Sequence, residues 1–190
     1  LVDGTVNDTT TTVFGLRTVS VDRVKGFQVN GQSVLLKGGC LHHDNGIVGS
    51  VSTRGIELRK VRILKQAGYN AIRCAHNPPS TALLEACDKL GLYVIDEAFD
   101  AWREGKRAYD EHLFFEDEWE NEITAMISRD YNHPCVVMWS TGNEIYERCG
   151  ASEGASWSHR LADKVRELDP SRPIINALCG FFEEGILADT

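Results

Sequence analysis

The sequence predicts an α/β protein built as part of a (β/α)8 barrel, and three observations carry that expectation. Short apolar runs of β type recur near residues 34, 70, 92, 135 and 173 of the 190-residue chain. Segments with helical spacing separate them. The runs carry few charges, as expected of strands covered on both faces. Repeated β-α order implies a parallel sheet, because a parallel neighbour is reached only through a crossover. An open doubly wound sheet and a closed barrel both satisfy this pattern. No G-x-G-x-x-G follows the first run and no P-loop occurs, which disfavours the nucleotide-binding form.

The opening is different in kind. Residues 1–12 are polar and rich in Thr, and Val13 to Val21 have strand-type content. Gly26 to Leu36 place two β-rich runs around Asn30-Gly31, a favoured two-residue hairpin turn. Residues 1–33 are therefore expected to form a β-rich segment, and residues 34–190 the barrel domain. Within the latter, Val34 to Cys40 is the first strand. Residues 53–67 place Ile56, Val61, Ile63 and Leu64 near one helical face, with Gly68 closing the helix. Asn70 to Cys74 is the second strand, and a helix over 80–90 is capped by Ser80 and closed by Gly91. Leu92 to Ile95 is the third strand. After a long loop, a helix over about 116–131 is stopped by Pro134, and Cys135 to Trp139 is the fourth strand. A helix over 155–168 leads to a fifth strand at Pro173 to Leu178.

Composition narrows the partners. The formal charge of -8 disfavours nucleic acid and anionic membranes, which attract basic surfaces, and suits a small neutral substrate. No apolar run approaches the length of a membrane span. The first residues, Leu1-Val2-Asp3-Gly4, carry no signal pattern and read as an excised start, so the compartment is not indicated. The six cysteines, Cys40, Cys74, Cys87, Cys135, Cys149 and Cys179, form no C-x-x-C pair and are expected to be reduced, buried thiols.

In a parallel barrel the site gathers where the strands end. The first strand is followed by His42-His43-Asp44. The second ends in Arg73, then His76-Asn77. The third ends in Asp96-Glu97, with Asp100 and Trp102 beyond, and the fourth leads to Asn143-Glu144. Glu144 follows an uncharged strand, so a carboxyl group there would sit at the rim of an apolar core. Desolvation of that kind favours a neutral, proton-donating carboxyl. Asn143 can donate an amide N–H to a substrate hydroxyl. His42, His43 and His76 can be metal ligands, donors to substrate or satisfied polar groups. Adjacent strand residues point to opposite faces, so only one of His42 and His43, taken as His42, faces the mouth. Arg73 can hold a substrate-site carboxylate or make a plain structural ion pair with Asp96 or Glu97. Of the tryptophans, Trp139 is expected in the core and Trp102 as an aromatic platform against which a substrate ring stacks.

Four motifs in order carry a resemblance. They are Lys37-Gly38-Gly39-Cys40-Leu41-His42-His43-Asp44, Asn70 to Pro79, Gly91 to Asp100, and Arg129-Asp130-Tyr131-Asn132-His133-Pro134 running on to Asn143-Glu144. The stretch from Leu36 to Glu144 resembles glycoside hydrolase family 2, the β-galactosidases, β-glucuronidases and β-mannosidases, and looks most like the β-galactosidase type. The resemblance implies a retaining glycosidase with Glu144 as the acid/base. It also implies Asn143, His42, Arg73, His76, Asp96 and Trp102 around the sugar, and an immunoglobulin-like domain ending in the first residues. Some members bind magnesium through an acid and a histidine after the third strand. Those places are Ala101 and Arg103 here, so neither metal nor cofactor is expected.

A retaining glycosidase needs a second carboxylate about 5–5.5 Å from the first, which the resemblance places on the seventh strand. Glu183, Glu184 and Asp189 follow the fifth strand too closely to serve. Residues 34–190 also fall short of the roughly 250 that a full barrel needs. The chain is thus expected to hold about five β/α units of a larger enzyme, to be inactive alone, and to self-associate through open sheet edges. Two other classes remain as alternatives. A metal-dependent amidohydrolase-type barrel would need an H-x-H where this chain has His42-His43-Asp44. A non-catalytic carbohydrate-binding remnant is the other.

Overall fold

A computed structural model describes residues 6, 8–149 and 153–177 of the chain. A small antiparallel sheet comes first, formed by β1 (Val19–Asp22), β2 (Gly26–Val29) and β3 (Gln32–Ser33) in that order. Asn30 and Gly31 turn β2 into β3 with φ of 51° and 75°. This double positive φ is the hairpin geometry the Asn-Gly pair is suited to.

Val13 to Thr18 are not a strand, contrary to the sequence expectation. This segment is held by Arg17 instead. Its Nε donates to the carbonyl of Pro134 at 3.0 Å and its Nη2 to that of Val136. Burial, with Arg172 nearby, lowers the pKa of this guanidinium. The anchor lies at the N-terminal end of the second, larger sheet.

That sheet contains β4 (Gly38–His42), β5 (Ala71–Ala75), β6 (Tyr93–Glu97), β7 (Val136–Asn143) and β8 (Ile174–Ala177). All four pairings are parallel, and the strands are neighbours in sequence order. An open doubly wound sheet reverses its strand order at a switch point, whereas a barrel does not. The unbroken order therefore separates the two architectures left open by the sequence: these are five consecutive β/α units of a (β/α)8 barrel.

The first barrel strand begins four residues later than expected. The Asn70 side chain takes up the backbone of the preceding segment, with Nδ2 donating to Leu35 O at 2.9 Å and Oδ1 accepting from Lys37 N at 2.6 Å. Ladder pairing starts only at Gly38 with Ala71. β7 is longer than expected and carries its pairing up to Asn143.

Four helices cross between the strands. α1 (Arg54–Gln66) is capped by the Thr53 hydroxyl, which accepts from Ile56 N. α2 (Thr81–Leu90) is capped by Ser80 and closed by a left-handed Gly91, as its sequence indicates. α3 (Phe115–Asp130) and α4 (Gly154–Leu168) follow. One apolar core joins the helices to one face of the sheet. Ile72, Cys74, Val94, Val136 and Trp139 supply the strand side; Leu84, Ile123 and Leu161 are among the helical side chains. Burying a side chain such as Leu84 contributes about 1.5–3 kcal/mol. Alternation along each strand sends the intervening residues to the opposite, concave face.

Cys74, Cys87 and Cys135 are free and buried, as expected. Cys40 is free but exposed, because it lies on β4. Cys179, with Glu183, Glu184 and Asp189, lies outside the described residues. Among the described residues no helix is long and apolar enough to cross a membrane.

Candidate active site

Arg73, on β5, and Glu97, the last residue of β6, share the concave face. The Glu97 carboxylate is fully buried and has four donors around it. Arg73 gives Nε to Oε2 at 2.7 Å and Nη2 to the same oxygen. Ser140 of β7 gives its hydroxyl to Oε2 at 2.6 Å. His76 gives Nδ1 to Oε1 at 2.7 Å. A buried charge is tolerated only when paired and hydrogen-bonded, and three strands contribute to that here. With the Nδ1 proton directed at Glu97, His76 keeps Nε2 for another partner. The His42 ring stands edge-on to His76, with centroids 5.1 Å apart. His43 turns away and bonds through Nε2 to Ser50 O at 2.9 Å.

Arg73 also reaches Asn143, with Nη2 donating to Oδ1 at 3.1 Å. The other half of that amide, Nδ2, donates to Asp100 Oδ1 at 2.9 Å, which fixes the amide's orientation. Asp100 also accepts from Lys106 Nζ at 2.6 Å. Burial alone would raise the pKa of Asp100, but the bonds from Lys106 and Asn143 outweigh it and hold it below the ordinary value. Glu144 follows directly. Its N–H donates to Ala177 O of β8 at 2.8 Å. Its φ of 46° lies in the left-handed region, which costs a side-chain-bearing residue about 1–2 kcal/mol.

The structure thus brings His42, Arg73, His76 and Asn143 to one end of one sheet face, and Glu144 follows Asn143 at the end of β7. It corrects three other expectations. Glu144 is exposed and not set into an apolar rim. Trp102 is fully buried, donates Nε1 to Thr141 O at 2.8 Å and stacks on Phe115, so it offers no face to a sugar. It is a prop beneath the end of β7. A Cβ on Gly142 would come within 2.9 Å of the Trp102 Nε1 and 2.7 Å of Ile145 Cδ1, so this contact requires glycine.

Asp96 points into the helix layer, on the opposite side of β6 from Glu97. Among the described residues neither of its buried oxygens meets a donor. Burial and then the neighbouring Asp130 push its pKa well above the usual carboxylate range. A proton held on Asp96 supplies the donor that two facing carboxylates lack.

Ser140 and Lys106 were missed by sequence reasoning, and Glu97, named there only as an alternative ion-pair partner of Arg73, was passed over for Asp96 as a site residue. Strand parity could have found Glu97. Val94 is an apolar helix-facing residue, so Asp96, two positions on, faces the helices and Glu97 faces the barrel. Lys106 sits in a polar loop with no periodicity, and nothing in the sequence marks it.

One group of described residues has donor types suited to a metal: Asp88, His133 and Cys135, with ligand atoms within 4.8 Å of one another. It lies at the other end of the sheet, and both Asp88 oxygens are engaged. Oδ2 is 2.6 Å from His133 Nδ1, and Oδ1 accepts from Cys135 N at 2.9 Å. It is a clasp between α2 and the start of β7.

Sequential parallel strands, with buried ion pairs and an acid–amide pair at their C-terminal ends, define the class: a (β/α)-barrel domain of enzyme type. Residues 19–178 match the family described as glycosyl hydrolases family 2, TIM barrel domain. The chain belongs to glycoside hydrolase family 2. It is 45% identical over 170 residues to the β-galactosidase BoGH2A of Bacteroides ovatus, covering 89% of this chain and 19% of that protein. A crystal structure of a family 2 member from Bacteroides cellulosilyticus superposes with a TM-score of 0.84 at 47% identity, over 87% of this chain and 21% of that one. A β-D-glucuronidase from Dictyoglomus thermophilum superposes at 0.72 with 31% identity, over 86% of this chain and 29% of that one. The chain thus spans about a fifth of the length of the first two of these relatives.

Proposed function

We propose that these residues form the acid/base half of the active site of a retaining β-glycosidase, with β-galactosides as the substrate class. Glu144 is the proton-transferring carboxylate. It protonates the leaving oxygen, then takes a proton from the water that releases the sugar. Asn143 and His76 donate to sugar hydroxyls, His42 borders the sugar, and Arg73 with Glu97 holds Asn143 and His76 in place. The single observation that supports this most is the fixed Asn143 amide next to Glu144, clamped from both sides by Arg73 and Asp100. The second carboxylate, the nucleophile, belongs to the seventh strand by family resemblance and is not among the five strands described. Residues 1–33 would link a preceding domain to the barrel.

The test is turnover of a panel of nitrophenyl β-glycosides by the full-length protein carrying this sequence. The galactoside is expected to be the best substrate. Glu144→Gln should lower turnover of poor leaving groups by about 10²- to 10⁴-fold. Preference for another glycoside overturns the sugar assignment, and an unaffected Glu144→Gln enzyme overturns the role of Glu144. The 190-residue chain by itself is expected to be inactive and to self-associate through the open edges of β4 and β8, as light scattering would show.

A further inference from the structure

Lys106 lies in the loop between β6 and α3 and has no part in the reading above. The loop is folded back on itself by Asp110, whose Oδ2 accepts from the backbone N–H groups of Lys106 and Arg107 at 2.8 and 2.7 Å. This returns the Lys106 side chain to the sheet, where it is 16% exposed. Its Nζ donates to Asp100 Oδ1 and, at 2.8 Å, to the carbonyl oxygen of Asn143.

That carbonyl and the N–H of Glu144 belong to the same peptide group. The N–H is taken by Ala177 O of β8. One peptide plane is therefore gripped at both of its polar ends, by a strand on one side and by an ammonium group on the other. Glu144 sits at φ 46°, away from the commonly populated backbone regions. A peptide held at one end can rotate and relax such a φ; one held at both ends cannot. The side chain of Asn143 is fixed by the same Asp100 that Lys106 holds.

We propose that Lys106 is a positioning residue for the proton-transferring carboxylate. Together with Asp100 it locks the Asn143–Glu144 peptide, and so fixes the direction in which Glu144 projects. Lys106 touches no substrate and carries no proton in the reaction. A plain structural ion pair between Lys106 and Asp100 is the competing account. Both accounts allow activity to fall when Lys106 is changed, and they differ in which substrates suffer. A misdirected acid harms substrates whose leaving group needs a proton, and spares those whose leaving group departs unaided. A loosened fold harms both alike. The inference rests on Glu144 being the acid/base.

The test compares kcat/KM for a dinitrophenyl glycoside and an alkyl glycoside of the same sugar, in the full-length protein and its Glu144→Gln, Lys106→Met and Lys106→Arg variants. Glu144→Gln should lose far more on the alkyl glycoside than on the dinitrophenyl one. Lys106→Met should repeat that pattern in milder form, losing about 10- to 100-fold on the alkyl glycoside, the scale of a misplaced catalytic group. Its loss on the dinitrophenyl glycoside should be several-fold smaller. Lys106→Arg, which keeps the charge and a donor, should recover part of the alkyl activity.

Equal losses on both substrates in Lys106→Met, with Glu144→Gln still discriminating, overturn the positioning role alone. A Glu144→Gln enzyme that does not discriminate overturns the acid/base reading, and the inference with it. Should Lys106→Met fail to fold, Asp100→Asn weakens the same clamp at its other end. A selective loss there supports the proposal, and a uniform loss overturns it.

Discussion

At the N-terminal end of the barrel sheet, Arg172 gives Nε to Val136 O at 2.9 Å, Nη2 to Tyr131 O at 2.6 Å and Nη1 to Asp169. At the C-terminal end, Arg73 gives its donors to Glu97, to Asn143 and, at 3.7 Å, to the Cys40 thiol. Both guanidiniums are largely buried and both are paired with a buried carboxylate. The first is occupied mainly by backbone carbonyls, which cannot bind anything further without undoing the strand starts. The second is occupied by side chains, several of which keep a free donor or acceptor. Asp88 and His133 repeat the first pattern, and His76 and Asn143 the second. The same residue types thus make a closed joint at one end and an open, preorganised surface at the other. Burial and charge alone do not distinguish a site from a scaffold; what the partners have left to offer does.

Mutations can test that contrast. The largest effect is expected at the closed end. Arg172→Met leaves the Asp169 carboxylate buried beside Trp139 with its main charge partner gone, and should cost about 3–5 kcal/mol of unfolding free energy in a urea melt. The activity of the folded fraction should stay near that of the parent. At the open end the balance should shift to function. Glu97→Gln keeps the volume but weakens the hold on Arg73 and His76. It should lower kcat/KM by about 10- to 100-fold, the usual range for an outer partner that orients a functional group, with a smaller share lost as stability. If Arg172→Met inactivates without destabilising, or Glu97→Gln destabilises without inactivating, the comparison is wrong.

The next effect depends on pH. The hydrogen bond to Asp88 raises the pKa of His133 against the opposing effect of burial. A base whose folded pKa lies above its unfolded value contributes stability that is fully present below about pH 6.5 and is lost as pH rises through the folded value. His133→Asn should therefore destabilise by roughly 1–2 kcal/mol near pH 6, and the gap from the parent should narrow toward pH 9 in parallel denaturation curves. A gap that widens with pH would contradict the clasp.

Near pH 5 the smallest effect is expected at Asp96. Its folded pKa is raised, so the unfolded chain gives up this proton first. Stability is lost as pH rises above about 3.9, the ordinary aspartate value. Asp96→Asn keeps a donor for Asp130 and removes that loss. The variant should lie within about 1 kcal/mol of the parent at pH 5 and gain on it by pH 8. A variant that loses ground at pH 8 would show that Asp96 is ionised in the fold.

Much of the closed framework was legible in the sequence. Ser80 and Gly91 bracket α2, Asn30-Gly31 makes the hairpin, and the repeating apolar runs give the five parallel strands in order, because these depend on local chemistry. Val34 to Leu36 were misread because their strand-like content is overridden from a distance, by the Asn70 side chain occupying the backbone that would have joined the ladder. The candidate site was legible in part. His42, Arg73, His76 and Asn143 were recoverable because strand ends and motifs mark them. Asp96 was chosen over Glu97 because a continuous apolar run hides which parity faces the helices. Trp102 was placed on the surface because charged residues flank it in sequence, although the chain folds it under Gly142. Lys106 could not be read at all, since its partner, the Asn143 carbonyl, is made by folding.

The most direct test of the account is azide rescue of Glu144→Ala in the full-length protein, with a dinitrophenyl β-galactoside as substrate. That leaving group departs without a proton donor, so the covalent glycosyl-enzyme still forms. Without a base to activate water its breakdown becomes slow. Azide, a nucleophile that needs no base, should attack the anomeric carbon, restore turnover with increasing azide concentration, and yield a β-glycosyl azide detectable by mass spectrometry and NMR. Unchanged turnover on adding azide, with no glycosyl azide formed, would contradict the assignment of Glu144 as the acid/base.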